Sequence, residues 1–154
     1  MSALGELLER EISLVSRFVT ALQDEQAALK AASPDALPTI HEEKSALVDQ
    51  INHLESERIK WVGGPVGLSD RERMNAWLQA HPSETLLAAH WEKLLELAGE
   101  AKRQNELNAA LVKLHLERTS QALAILTRHA QDNLLYGSNG QAATYTGSRL
   151  VDSA

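Results

Sequence analysis

The sequence predicts an all-α protein: an elongated antiparallel bundle of three main helices, the last one longest, with a short connector helix and a flexible C-terminal tail. Three observations predict it. Aliphatic residues recur at three- and four-residue spacing along most of the chain, the period of a helix with one buried face. β-Branched residues never gather into the short alternating runs that a sheet needs. Hydrophobic residues make up 44% of the chain but aromatics only 4%, so Leu and Ala must fill the interior, as they do between helices. At 154 residues the chain can bury roughly two thirds of its unfolded surface in one core. The expected organisation is a bundle over residues 1–136 and a polar tail over 137–154.

The first helix is expected over about 3–32, where Leu4, Leu8, Ile12, Val15, Val19, Leu22 and Leu29 line one face and Gln26 interrupts it. The segment "ASPDALP" ends it, because Pro34 and Pro38 remove backbone donors and push their predecessors out of the helical region. Thr39 and Glu42 then read as a capping box that opens a second helix over 39–62. Ile40, Leu47, Ile51, Leu54 and Trp61 form its stripe, with Lys44 and Arg58 laying their methylene stems along the same face. Gly63, Gly64 and Pro65 stop it. A second capping box, Ser69 with Glu72, opens a connector helix over 70–80 carrying Met74, Trp77 and Leu78.

From Ser83, read as an N-cap, only Gly99 interrupts a helix running over 84–135, roughly 70 to 80 Å at the α-helical rise. Helices one and two, at about 35 to 45 Å each, are too short to cover it. Its first turns are bulky (Leu87, Trp91, Leu94, Leu95), and its middle places Ala98, Ala101, Asn105 and Asn108 at seam spacing. Leu111, Val112, Leu114, Leu123, Ile125 and Leu126 then form a broad apolar surface that implies contacts on more than one side. Trp61, Trp77 and Trp91 fall near helix ends and joins, where they are expected to plug the core.

The net charge of -6 leaves no electrostatic surplus for a phosphate backbone, so nucleic acid is not an expected partner. The absence of cysteine excludes disulfides, thiolate zinc sites and cysteine nucleophiles. The apolar runs are too short for stable membrane insertion, and "MSALGELLER" lacks a basic region before an apolar core, so the reading is a soluble cytoplasmic protein. No Glu has a His three residues later, there is no HExxH, and no Ser lies in a G-x-S-x-G elbow. His41 in "HEEK" reads as a solvated first-turn residue, and His115 and His129 as partly buried histidines bonded to neighbours. The expectation is no catalytic residue, no metal, no cofactor and no enzymatic activity.

Asn105 and Asn108, in "QNELNAALV", are the telling polar pair. Amides at seam positions cost stability unless each finds a partner, and such residues fix helix register or recognise a partner.

The layout of a Leu-rich first helix, a second helix, a long last helix with Asn105, Asn108 and Leu111 spaced Asn-x-x-Asn-x-x-Leu, and then Leu135, Tyr136, Gly137, Gly140 and Gln141 in "LYGSNGQ", resembles the FlgN family of flagellar export chaperones. The resemblance covers nearly the whole chain. It implies a cytoplasmic chaperone that binds hook-associated proteins of the hook–filament junction and presents them to the flagellar type III secretion apparatus, with the export gate and export ATPase as further partners. On that reading the client lies along Asn105, Asn108, Leu111, Leu114, Leu123, Leu126 and Leu134, as an amphipathic segment lies in a helical groove. Tyr136 would dock to the export gate. The free protein must hide this surface, by self-association into a homo-oligomer or by folding back of the tail. The competing readings are a self-associating helical adaptor or regulatory bundle without an export role, and a metal-dependent helical enzyme.

Overall fold

The structure, a computed structural model, describes residues 2–31 and 33–135, with side chains as far as residue 130. Tyr136, the expected tail over 137–154 and the side chain of Leu134 lie outside the described residues. Among the described residues four α-helices follow one another: α1 (Ala3–Lys30), α2 (Leu37–Val62), α3 (Asp70–Ala80) and α4 (Thr85–Leu135), with a 3₁₀ turn at Pro34–Ala36 leading into α2. Among the described residues there is no strand. The 51 residues of α4 span about 77 Å, against about 42 Å for α1 and 39 Å for α2. The chain divides into two compact units, residues 1–111 and 112–154.

The first unit is a three-helix bundle with α3 as a connector. Cross-pairing fixes its directions. Glu11 pairs with Arg58 and Glu25 with Lys44, so α1 and α2 are antiparallel. Asn108 reaches Leu22 and Glu25, and His90 approaches Glu9, so α4 runs parallel to α1. Leu4, Leu8 and Val15 of α1, Met74 of α3, and Leu87, Trp91, Leu94 and Leu97 of α4 make the main core. Leu47 and Leu54 are the buried apolar residues of α2. Each fully buried Leu contributes about 2 kcal/mol relative to an exposed one.

The helix ends show where local chemistry was read well and where it was not. Ser69 and Glu72 form the expected capping box, with bonds of 3.2 and 3.0 Å. Ser2 caps α1 by accepting from Gly5 N–H at 3.1 Å. The expected box at Thr39 and Glu42 does not start α2. The helix begins two residues earlier, at Leu37, because the 3₁₀ turn feeds into it and Pro38 sits in the first turn, where a missing N–H costs nothing. Ser83 is likewise not the N-cap of α4. It lies inside a turn closed by Glu84 N–H donating to the His81 carbonyl at 3.1 Å, and Glu84 accepts the first helical bond, from Ala88. Gly63 ends α2 with a φ of 66°, a conformation that strains any residue with a Cβ, and Arg73 Nη1 of α3 donates to its carbonyl at 2.9 Å. Trp91 is buried, as expected of a core plug. Trp61 is 46% exposed, meeting half-buried Trp77 edge-on while His81 stacks on the other ring.

Candidate functional site: a polar seam and an uncovered helix face

Two features of the molecule bear on function, one inside each unit. Beside the expected Asn108, Lys44 and Arg58, the seam of the first unit contains two carboxylates, Glu11 and Glu25, and an amide, Gln104, that the expected stripes did not include. Glu11 is 2% exposed and accepts from Arg58 Nε at 2.8 Å, while Arg58 Nη1 donates to Asp70 at 2.5 Å and the guanidinium lies 4.9 Å above the Trp91 ring. Burial pushes the Glu11 carboxyl above its ordinary value, with Arg58 opposing. Burial also works against the Arg58 charge, but its bonds to Asp70 and Glu11 outweigh that and raise its pKa.

Glu25 is the second buried carboxylate. It accepts from Asn108 Nδ2 at 2.8 Å, from Lys44 Nζ at 3.1 Å to both oxygens, and lies 2.9 Å from His41 Nε2. Burial alone would raise its pKa, but the bonds from Asn108, Lys44 and His41 prevail and lower it. His41, expected to be solvated, is therefore exposed on one side and bonded on the other. Asn108 also donates to the Leu22 carbonyl at 2.8 Å and accepts from Gln104 at 3.0 Å, so its buried amide is fully used inside the bundle.

Asn105 is exposed. The seam of α4 runs Leu97, Ala101, Gln104, Asn108 and Leu111, and Asn105 stands about 100° off Gln104. Ala98 is exposed for the same reason, with Leu97 buried in its place. Lys44 and Arg58 do lie on the α2 stripe, but their heads are bound to α1 carboxylates rather than led out to water.

The second unit is different in kind. Val112, Leu114, Leu116, Leu123, Ile125 and Leu126 are between 41% and 65% exposed. At about 100° per residue, Val112, Leu116, Thr119, Leu123, Leu126 and Ala130 alternate by fours and threes and share one face of α4. The helix therefore brings Leu123 and Leu126 together, but sets Leu114 about 180° from Leu123, beside Ile125 and Arg118. Leu111 closes the first unit and is half-buried. Leu116 was missed by the sequence reading, although its position one heptad before Leu123 was a visible signal. The polar residue within the stripe, Thr119, has its hydroxyl satisfied by the His115 carbonyl at 2.9 Å, so a partner could cover it without stranding a donor.

Among the described residues no group of three or more His, Asp or Glu side chains is placed to hold a metal ion, and no helix is long and apolar enough to cross a membrane.

The family model described as "FlgN protein" matches residues 1–144. Among curated proteins, the chain is similar to the "Flagella synthesis protein FlgN" of Salmonella typhimurium, 28% identical over 145 residues, covering 93% of this chain and 92% of the relative. It is 31% identical over 139 residues to the protein of that name from Yersinia enterocolitica, covering 88% and 86% of the two chains. The Proteus mirabilis protein is 28% identical over 144 residues, covering 92% and 91%. No solved structure matches the chain.

Proposed function

This chain belongs to the FlgN family and takes part in flagellar assembly, and we propose that it does so as a cytoplasmic export chaperone. In this reading it binds hook-associated proteins of the hook–filament junction and delivers them to the export gate and export ATPase of the flagellar type III secretion apparatus. The observation that carries the reading is the uncovered apolar face of α4 between Val112 and Ala130. A contiguous exposed face of this kind on a folded chain marks a surface completed by another molecule, and a helix-in-groove client fits its heptad phase. Ordering a client segment consumes part of the gross binding energy, which keeps the complex specific and releasable.

The client surface is then Leu116, Leu123 and Leu126, with Leu114 serving the opposite face and Leu111 and Leu134 at its margins. Asn105 is exposed and open to a client. Asn108 contributes by fixing the phase of α4 against α1. Tyr136 is the proposed anchor to the export gate, as an aromatic hot spot.

Replacing Leu123 and Leu126 with Asp is expected to abolish co-purification of a junction protein while the helical circular dichroism persists. Undiminished capture by the double variant would overturn the assignment. Tyr136→Ala should keep the client and lose the gate. The adaptor reading predicts instead that the wild type self-associates through this face and captures no junction protein.

A further inference from the structure

We draw no further inference here: the strongest candidate, the aromatic surface patch between the end of α2 and α3, where exposed Trp61 meets Trp77 edge-on and His81 stacks on Trp77, is an unpartnered face of the bundle, and nothing in the structure shows what covers it.

Discussion

Arg58 of α2 and Glu11 of α1 meet in the interior at 2.8 Å, with 4% and 2% of their side chains exposed. Each is the reason the other can be there. Arg58→Ala strands the Glu11 carboxylate and is expected to cost roughly 3–5 kcal/mol, read as a lower urea midpoint at unchanged slope. The double variant Glu11→Leu, Arg58→Met should recover most of that loss, because it removes both desolvation penalties while filling similar volume. A double variant no more stable than Arg58→Ala would show that Asp70 and the Trp91 ring hold the arginine's worth.

Glu25 makes stability depend on acid. Its folded pKa lies below the ordinary 4.5, so it binds a proton more weakly folded than unfolded. The stability it supplies is present above 4.5 and is lost as pH falls through the lower folded value. Glu11 works the other way. Its folded pKa is raised above 4.5, so its contribution declines as pH rises from 4.5 through that higher value. Urea midpoints of wild type and Glu25→Gln measured from pH 7 to pH 3 should differ at neutrality and converge at the acid end. A constant gap would refute the linkage.

Gly99 sits inside α4, where a Cβ would meet only the flexible tip of Arg103, at 3.4 Å. Gly99→Ala is expected to stabilise the protein by about 0.5–1 kcal/mol, through the smaller entropy lost on folding. Thermal melting checks it, and a lower melting temperature would mean that the Arg103 side chain cannot give way.

The helices, their order and most of their ends were legible because apolar periodicity and turn residues are local signals. The seam was legible only in part. In α1 the heptad runs Leu4, Leu8, Glu11, Val15, Phe18, Leu22, Glu25 and Leu29, so the two acids were in phase all along. Periodicity marks a residue as facing inward, but it does not reveal that a partner 47 residues away makes a buried charge tolerable. The same blindness misplaced Asn105. A polar Gln104 in the true seam looks like surface, and its role appears only when Asn108 is seen to bond it and α1 together. On the second unit, the exposed leucines were found but grouped by proximity in sequence, which merged two opposite faces of one helix.

The spacing of the two ion pairs has a consequence for how this hairpin tolerates change in length. Residues 11 and 25, and residues 44 and 58, are both separated by two heptads, so the pairs act as two pins through one hinge plate. Sliding α2 along α1 by seven residues would keep every greasy contact in phase, and oily packing alone could not object. In either direction, though, such a slide brings Ile51 opposite a glutamate. A seven-residue insertion between the pins should therefore be rejected by this chain, while the same insertion in the exposed stretch of α4 would break no pin.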